Sequence, residues 1–504
     1  MVGRVLMVQG TASSVGKSWI VAALCRYFAR RGVRVAPFKA QNMSNNAAVC
    51  PDGAEIGRAQ ALQARAAGVE PCAEMNPVLL KPEADSRAQV IVMGRVWRTL
   101  RAGEYYRHKR DLWPVVTAAL DHLRQQYELV IVEGAGSPAE LNLRESDIVN
   151  MAVARYAGAP VLLVGDIDRG GIFAQLLGTF WLLPPEEQVL VQGFVVNKFR
   201  GDPALFEQGV RILEERSGRP VLGVIPHVAD LVLPEEDAAS LPAAGGGPIL
   251  LDVAVIRLPR MANFDDVDPL RAEPGVRVRF VERVADLGRP DAVILPGTKS
   301  TVADLHWLQR AGLADAIRRL AQAGTAVVGL CGGYQMLGEV IRDPEGVESE
   351  VERVDGLGLL PVETVFAGKK ATFQARARLR GGPGWMASLA GLEVCGYEIH
   401  MGRSRSRTPW LEISSRNGQP AHVLDGAVST DGRVWGCYLH GLFANDVLRR
   451  AWLESLRERK GDEEATPAPV NAEALIDDSL DRLADTVARS LDMGRLEGLV
   501  GLEA

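Results

Sequence analysis

Short apolar runs alternate with longer amphipathic segments through the first half of the chain. The runs are rich in Leu, Ile and Val, end at glycine, proline or charge, and have the length of buried strands. They cover Arg4–Gln9, Val33–Phe38, Glu128–Glu133, Pro160–Gly165, Val189–Asn197 and Pro220–Ile225. The segments between them include Lys17–Arg31 and Pro203–Arg216, which have helical character. This alternation predicts a doubly wound, mostly parallel sheet with helices on both faces.

The same alternation resumes in the second half of the chain. Four further apolar runs are predicted to be buried strands: Ile249–Ile256, Val276–Val281, Ala292–Leu295 and Ala326–Leu330. Thr301–Ala323 has helical character with a break near Gly312. The pattern therefore predicts a second α/β domain of the same general kind.

The clearest interruption between the two halves is Leu241–Pro248, which contains three consecutive glycines flanked by prolines. Such a segment holds neither a helix nor a packed strand. Later, a charged and then proline-containing stretch precedes a helical pattern over Val470–Leu499. We therefore predict domains at 1–240 and 249–460, a linker at 241–248, and a helical C-terminal tail at 461–504.

Composition adds limits on location and partners. The 504 residues include 57 basic and 63 acidic side chains, and this mild imbalance points to neither nucleic acid nor a membrane as partner. The N-terminus does not resemble a signal peptide, and no apolar stretch reaches about 18 residues. The six cysteines are scattered, with no CxxC pair, which argues against a disulfide framework. We expect a cytoplasmic protein with small-molecule partners; a homo-oligomer stays open.

A phosphate-binding loop follows the first predicted strand. Gly10 and Thr11 begin a run of small residues that ends in Gly16, Lys17 and Ser18. Backbone N–H groups in such a loop surround phosphates, the lysine adds charge, and the serine hydroxyl can bind Mg²⁺. Five residues separate the two glycines, one more than in the usual pattern. This spacing resembles the P-loop of dethiobiotin synthetases, so the first domain is predicted to be P-loop NTPase-like and to bind ATP.

Further candidates for the ATP site follow other predicted strands. Lys39 and Glu133 end two of them, at the sheet edge where such folds bind ligands. Glu55 stands at a predicted helix start, where an acid that only favours the helix N-terminus is the competing interpretation. Asn197 and Lys198 follow a fifth strand and are candidates for nucleotide contact, a weak signal when taken alone.

A candidate nucleophile lies in the second half. The strand residues Ala326-Val-Val328 lead into Gly329-Leu-Cys331-Gly-Gly333, with a helix predicted from Tyr334. This is the glycine-flanked turn that exposes a nucleophile between strand and helix. The positive end of the helix favours the thiolate. A buried structural cysteine is the ordinary alternative.

A thiolate nucleophile needs a proton-transfer partner and a site for the developing oxyanion. His440, which follows an apolar strand, is the predicted partner, and His400 its competitor. We assign His400 and the nearby Glu398 to substrate contact instead. Backbone N–H groups of Gly297 and Gly332 are the predicted oxyanion hole. A plain Pro-Gly turn is the alternative for the segment around Gly297.

Over nearly its whole length the chain resembles the CobB/CobQ family of amidotransferases. The first half carries the signatures Phe38-Lys-Ala-Gln-Asn-Met-Ser-Asn-Asn46, Asn76-Pro-Val-Leu-Leu-Lys-Pro82, Glu133-Gly-Ala-Gly-Ser-Pro-Ala-Glu140 and Asp166-Ile-Asp-Arg-Gly-Gly171. The second half adds Leu295-Pro-Gly-Thr-Lys-Ser-Thr301 and Gly396-Tyr-Glu-Ile-His-Met-Gly-Arg403. The resemblance implies a ligase domain followed by a class I glutaminase-like domain.

The resemblance also implies the reaction. Ammonia from glutamine would amidate the b, d, e and g carboxylates of adenosylcobyrinic acid a,c-diamide, each activated by ATP as an acyl phosphate. Cys331 would be the nucleophile and His440 its base. Lys17 and Lys39 would contact phosphates. The implied Mg²⁺ ligands are Ser18, Glu55 and Glu133.

Three features keep alternatives open. Related glutaminases carry a Glu two residues after the catalytic His, but here that position is Leu442, so the third member of the site is unassigned. The sister branch, which makes the a,c-diamide, has Gly-Pro-Asp-Tyr where this chain has Lys39-Ala-Gln-Asn-Met43. Another P-loop amide ligase is a further alternative. A partitioning-type ATPase fused to an inactive glutaminase-like scaffold is the non-enzymatic one.

Overall fold

The structure is a computed structural model that describes residues 2–84, 86–234, 249–461 and 470–502. The predicted linker at 241–248 lies outside these residues, so the domain boundary there stays a prediction. Within the described residues, none of the helices combines the length and the apolarity that a membrane crossing needs. All six cysteines are free thiols.

The first half contains twelve strands and eight α-helices within the described residues. The strands are β1 Arg4–Gly10, β2 Val35–Phe38, β3 Gln41–Met43, β4 Ala47–Val49, β5 Glu55–Gly57, β6 Val78–Ala84, β7 Arg87–Val92, β8 Arg95–Arg101, β9 Leu129–Glu133, β10 Val161–Asp166, β11 Val191–Phe199 and β12 Val221–Pro226. The helices are α1 Lys17–Arg30, α2 Arg58–Ala67, α3 Ala102–His108, α4 Trp113–Gln126, α5 Met151–Ala157, α6 Ile172–Leu182, α7 Pro185–Gln188 and α8 Glu207–Ser217.

The six strands predicted for this half form one sheet in the order β12-β11-β10-β1-β9-β2, and every neighbouring pair is parallel. Their side chains are buried on both faces, as expected for a sheet covered by helices on each side. The predicted doubly wound plan is confirmed. The carboxyl ends of β1, β9, β10 and β11 share one edge, where the phosphate-binding loop follows β1.

An insertion between β2 and α4 was not predicted. It contains a four-stranded sheet, β3-β6-β7-β8, and a two-stranded ladder, β4-β5. Its outer strand β8 is mostly exposed and carries three arginines, so it lacks the apolar run that marks a buried strand. This insertion contacts the second half through ion pairs of Arg58 with Asp265, Glu83 with Lys299 and Glu55 with Lys370.

The second half contains strands β13 to β24 and helices α9 to α14. The strands are β13 Leu251–Ile256, β14 Val276–Val281, β15 Ala292–Leu295, β16 Ala326–Leu330, β17 Val340–Arg342, β18 Arg353–Asp355, β19 Val362–Leu379, β20 Glu393–Ser406, β21 Leu411–Arg416, β22 Gln419–Asp425, β23 Ala427–Val428 and β24 Val434–Cys437. The helices are α9 Asp268–Arg271, α10 Val284–Leu287, α11 Thr301–Arg310, α12 Leu313–Gln322, α13 Gly332–Leu337 and α14 Asp446–Lys460.

The four strands predicted here lie in a sheet of order β14-β13-β15-β16-β24-β23, parallel except at β23. The predicted break near Gly312 separates α11 from α12. A second, largely antiparallel sheet was not predicted: β18-β17-β19-β21-β22, with β20 paired to β19. Along β19, buried apolar residues alternate with exposed arginines from Ala375 to Leu379, so no continuous apolar run marks it.

The C-terminal segment is helical, as predicted, in α15 Ala472–Ser490 and α16 Met493–Leu499. It packs against the first half of the chain. Leu480, Leu483 and Val487 are buried in the same apolar cluster as the inner face of α1. Arg26 of α1 forms a bidentate pair with Asp481 of α15, at 2.8 and 3.1 Å. The end of the chain therefore completes the core around the first sheet.

Leu483→Ala should lower the free energy of unfolding by about 2–5 kcal/mol, because it leaves a cavity between α15 and α1. Chemical denaturation followed by fluorescence measures the change. Asp478→Ala, an exposed change on the same helix, is the control and should stay within about 0.5 kcal/mol of the parent. Equal effects of the two substitutions would contradict the packing role.

Candidate active site

Cys331 lies at the turn between β16 and α13. Its backbone has φ 51° and ψ −109°, a conformation that residues other than glycine rarely adopt. Such strain costs on the order of 1–3 kcal/mol and persists where the surroundings impose it. Immediately before and after the turn, glycine has no room for a side chain: a Cβ on Gly333 would lie 2.0 Å from the Leu295 carbonyl oxygen, and one on Gly329 would meet Tyr334 at 2.7 Å. The glycine-flanked turn predicted from the sequence is therefore present.

His440 and Gly297 converge on Cys331. A Cβ built on Gly297 would lie 3.1 Å from His440 Cε1 and 3.7 Å from Cys331 Cβ. Gly332 packs against the same turn, since its Cβ would lie 2.6 Å from Thr298 Cγ2. The structure thus brings together the predicted nucleophile, its base and both glycines of the predicted oxyanion hole. His440 is 2% exposed, so its imidazole is shielded from water.

Asp266 is the acidic partner of His440. Related glutaminases use a Glu two residues after the catalytic His, where this chain has Leu442. Asp266 Oδ2 lies 2.6 Å from His440 Nδ1, and Asp266 Oδ1 accepts a hydrogen bond from Gly441 N at 2.7 Å. The Asp266 side chain is 3% exposed. These contacts orient the His440 ring so that Nε2 is left for the thiol side. The sequence signal was an Asp265-Asp266 pair just beyond the strand β13, at the same sheet edge as Cys331.

The charge on His440 follows from these contacts. Burial alone would lower the pKa of His440, but the Asp266 carboxylate and the Cys331 thiol group raise it to about 10. The imidazolium is therefore the favoured form at neutral pH. A charged imidazolium beside Cys331 favours the thiolate, which is the nucleophilic form of cysteine. It can also donate a proton to a leaving amine.

A cavity of about 230 Å³ opens in front of Cys331 and His440. Residues from both halves of the chain line it. Lys81, Glu83 and Gln89 come from the insertion in the first half, and they face Cys331 and His440 from the second. The nucleophile therefore faces the boundary between the two halves.

His400 and Glu398 take different positions. His400 lines the cavity, stacks on the Tyr438 ring at 3.8 Å and places Nδ1 2.8 Å from the Gly402 carbonyl oxygen. Glu398 is not part of the lining. Its carboxylate accepts two hydrogen bonds from Arg416, at 2.7 and 2.8 Å, and lies 3.4 Å from His400 Nε2. The structure places His400 where a bound molecule can touch it and Glu398 behind it.

Two further polar side chains that line the cavity, Gln335 and Glu348, were not predicted. Thr301 donates a hydrogen bond to Gln335 Oε1 at 2.9 Å, which turns the Gln335 amide nitrogen to Tyr438 at 3.0 Å. Glu348 accepts a hydrogen bond from Val302 N at 2.8 Å, and burial raises its pKa to about 7. No local sequence motif marks Gln335 or Glu348, so only the fold reveals that they line the cavity.

The phosphate-binding loop holds its predicted residues together at the edge of the first sheet. Lys17 Nζ donates to the carbonyl oxygens of Ala12 and Gly136, at 2.9 and 3.2 Å. Ser18 donates to Glu133 Oε1 at 2.8 Å, and Lys39 Nζ lies 2.9 Å from the same oxygen. Two cationic groups, a hydroxyl and a carboxylate therefore meet beside the loop.

The remaining predicted residues of this site shape the loop. Asn197 donates to the Val15 carbonyl at 2.8 Å, and Lys198 donates to the Ser14 carbonyl at 2.6 Å. Close packing leaves no room for a Cβ at two of the loop glycines: Gly10, where it would meet Val15 at 2.6 Å, and Gly16, where it would meet Asn197 at 2.2 Å. Thr11 follows β1 and donates to Gln175 at 3.3 Å.

Helix α2 supports Glu133, whereas Glu55 lies elsewhere. Gln63 and Gln60 of α2 donate to Glu133 Oε2, at 2.7 and 3.4 Å. Glu55, predicted as a third Mg²⁺ ligand, has Lys81 on one carboxylate oxygen and Lys370 on the other, at 2.7 and 2.5 Å. The structure does not bring Glu55 to the Ser18–Glu133 pair, and its metal role stays a prediction.

Comparison with known proteins agrees with this geometry. Residues 6–240 match the family described as the CobQ/CobB/MinD/ParA nucleotide binding domain, and residues 252–448 match the CobB/CobQ-like glutamine amidotransferase domain. A cobyric acid synthase from Chloroflexus aurantiacus is 56% identical, covering 99% of this chain and 100% of its own. Cobyric acid synthases from Roseiflexus castenholzii and Moorella thermoacetica are 56% and 52% identical, over 97% and 99% of this chain and 98% of each relative.

The chain belongs to the cobyric acid synthase family. The predicted family resemblance is confirmed over the full length. The sister branch and another P-loop amide ligase are not favoured, and the predicted enzyme class is confirmed, which argues against the non-enzymatic alternative. Members of this family are glutamine amidotransferases that couple a nucleotide-binding ligase half to a glutaminase half.

Asp266→Asn should lower glutamine hydrolysis by about 10²–10⁴-fold, the usual range for impaired acid–base catalysis. The amide neither holds the ring in the same way nor keeps the pKa of His440 raised. Since the imidazolium is lost as pH rises through that pKa, the alkaline limb of the pH–rate profile should move to lower pH. Glutamate release, measured across pH, tests both effects.

Asp315→Asn, which changes an exposed carboxylate of the same half, is the matched control. It should keep the parent rate and profile. A parent-like pH profile in Asp266→Asn would show that another group orients His440.

Proposed function

We propose that this protein makes adenosylcobyric acid in the cytoplasm by amidating four carboxylates of adenosylcobyrinic acid a,c-diamide. The carboxylates are the peripheral b, d, e and g groups. Each amidation uses one glutamine as nitrogen source and one ATP as activator. The observation that carries the proposal is a glutaminase centre, Cys331–His440–Asp266, whose cavity is lined by the ligase half.

The glutaminase half releases ammonia. The Cys331 thiolate attacks the side-chain carbonyl of glutamine, and backbone N–H groups of Gly297 and Gly332 bind the oxyanion. The His440 imidazolium gives its proton to the departing nitrogen, which leaves as ammonia. The acyl group stays on Cys331 as a thioester. Water activated by His440 then hydrolyses the thioester to glutamate. Glu348 and Gln335 line the cavity and supply polar contacts for the amino-acid end of glutamine.

The ligase half activates the acceptor. A carboxylate of the corrinoid attacks the γ-phosphorus of ATP, which gives an acyl phosphate and ADP. Ammonia then displaces phosphate and forms the amide. Lys17 and Lys39 stabilise the negative charge that spreads over the transferred phosphoryl group. The glycine-rich loop from Gly10 to Gly16 holds the remaining phosphates through backbone N–H groups.

The donor set beside the loop fits Mg²⁺. This ion prefers oxygen ligands and is usually held by one or two protein oxygens together with phosphates and water. Ser18 Oγ and Glu133 Oε1 lie 2.8 Å apart, and the Lys39 ammonium already rests on that carboxylate, so the position attracts cations. When bound, Mg²⁺ neutralises charge on the phosphate oxygens. Gln60 and Gln63 keep Glu133 oriented toward it.

The proposal is tested by mass spectrometry of adenosylcobyrinic acid a,c-diamide incubated with Mg-ATP and a nitrogen source. The parent protein should convert it stepwise to the fully amidated product with glutamine. Cys331→Ala should do so only with ammonia, because it lacks the nucleophile. Lys17→Ala should fail with both sources while still hydrolysing glutamine.

Absence of any amidation by the parent with either nitrogen source would reject the proposed acceptor. Conversion of cobyrinic acid to its a,c-diamide instead would assign the sister reaction.

Glu133→Gln should reduce ammonia-supported amidation by about 10²-fold or more, because a metal ligand and the partner of Lys39 are both lost. Raising the Mg²⁺ concentration should recover part of the rate. Glu140→Gln, an exposed change in the loop after β9, is the control and should behave as the parent. A Mg²⁺ dependence unchanged by Glu133→Gln would remove Glu133 from the metal site.

A further inference from the structure

Three charged side chains form a buried cluster between the two halves of the chain. Glu55 of β5 lies 2.7 Å from Lys81 of β6 and 2.5 Å from Lys370 of β19. The three side chains are only 2%, 3% and 10% exposed. Burial alone would raise the pKa of Glu55, but the two ammonium groups lower it to about 2, so the carboxylate is charged. Lys370 also lies 3.3 Å from Gln89, which belongs to the first half.

On one side, this cluster borders the glutaminase cavity. Lys81 and Lys370 line the same cavity as Cys331. Ammonia released at Cys331 therefore meets these two lysines where the cavity ends against the ligase half.

On the other side, hydrogen bonds lead from the cluster to the ATP site. Glu55 begins β5, and Gly57 at the end of β5 donates to Asn76 Oδ1 at 3.0 Å. The Asn76 amide nitrogen donates to the Lys39 carbonyl at 3.1 Å, and Lys39 Nζ lies 2.9 Å from Glu133. Each of these side chains is buried. These backbone and side-chain contacts form a path through buried residues from the segment that carries Glu55 to the carboxylate beside the phosphate loop.

A parallel contact runs beside this path. Asn42 donates to Gln60 Oε1 at 3.0 Å, and Gln60 in turn reaches Glu133. Ammonia is a small, polar molecule, and a lining of amides and carbonyls offers it hydrogen bonds in place of water. The polar interior at this place therefore suits ammonia better than it suits an apolar core.

Stability does not explain the cluster. Desolvating three charges is expensive, and buried ion pairs are often replaced by apolar residues at no loss of stability. Burial lowers the pKa of Lys370 to about 8, so at neutral pH the cluster carries one negative and two positive charges and its net charge is +1. A positive charge in a confined, weakly screened space repels ammonium and leaves neutral ammonia unaffected.

We propose that Glu55, Lys81 and Lys370 form the gate through which ammonia passes from the glutaminase cavity to the ligase site. The gate rests on the proposed function. Its net positive charge admits ammonia and excludes ammonium. Glu55 and Lys81 belong to the ligase half and Lys370 to the glutaminase half, so a small relative movement of the halves separates Lys370 from Glu55 and opens it. Breaking the pair by mutation should therefore let ammonia escape or exchange with solvent.

The test uses the full-length protein with glutamine, Mg-ATP, the corrinoid and added ¹⁵N-ammonium chloride. Two quantities are measured: glutamate released per amide formed, and the ¹⁵N content of the product. In the parent, the ratio should be near one-to-one and the product should carry mostly glutamine nitrogen. In Lys370→Met, the glutamate-to-amide ratio should rise about fivefold, the size of effect expected for residues that couple two sites. The ¹⁵N content should rise with it.

Three comparison variants sharpen the result. Lys370→Arg keeps the charge and should stay closer to the parent than Lys370→Met. Arg378→Met removes an exposed cation from the same strand and should match the parent. Glu55→Gln should uncouple as Lys370→Met does and still amidate with ammonia, whereas a metal ligand would lose amidation with both nitrogen sources. A melting temperature for each variant confirms folding.

The gate is overturned if folded Lys370→Met and Glu55→Gln keep the parent ratio and the parent ¹⁵N content. It is also overturned if Glu55→Gln loses ammonia-supported amidation and regains it at high Mg²⁺. Failure of the parent to amidate with either nitrogen source is a different result, because it rejects the proposed function and the gate together.

Discussion

Arg58 joins the two reactive centres through a single helix. Its guanidinium lies 3.0 Å from Asp265 Oδ2 and 5.0 Å from the centre of the Tyr397 ring, which in turn stacks on His440 at 5.1 Å. Arg58 is the first residue of α2, and Gln63, just over one turn further on, holds Glu133 beside the phosphate loop. One turn of helix rises only about 5.4 Å. The contacts of α2 therefore reach the glutaminase base at one end and the ligase carboxylate at the other.

Asp265 and Asp266 are adjacent in the sequence, but their carboxylates contact different halves of the chain. Asp265 faces Arg58 of the ligase half, whereas Asp266 faces His440 of its own half. Burial raises the pKa of Asp265, and the neighbouring Arg58 opposes that shift. Without Arg58, two buried carboxylates would compete for one imidazolium. The docking of the halves and the charge state of His440 thus both depend on the adjacent residues Asp265 and Asp266.

Patterns of neighbouring residues predicted those features of the fold that depend on neighbouring residues. The apolar runs predicted ten strands of the two parallel sheets, and glycine spacing predicted the turns at Cys331 and at Lys17. Asp266 was missed because its partner lies 174 residues away and the Asp265-Asp266 pair beyond β13 does not by itself mark a catalytic group. The pairing of Glu55 with Lys370 spans 315 residues and depends on how the two halves dock. The family resemblance implied a metal role for Glu55, and its position suggested a helix start. The structure instead places Glu55 in β5, with contacts to Lys81 and Lys370 that depend on the interface.

The polarity of the interface follows from the molecule that must cross it. An apolar contact between the halves would bind more tightly for the same area, since apolar burial has no desolvation cost to offset. A tight apolar contact would also exclude a polar molecule such as ammonia. The chain buries Glu55, Lys81 and Gln89 at the interface beside an apolar cluster of Ala47, Val49, Leu79, Ile91 and Ile399, and it adds directional pairs such as Lys299 with Glu83 at 2.9 Å. Directional pairs also fix the register of the halves, which an apolar surface does less well. An interface that must both hold position and pass a polar molecule therefore combines an apolar cluster with paired charges and amides.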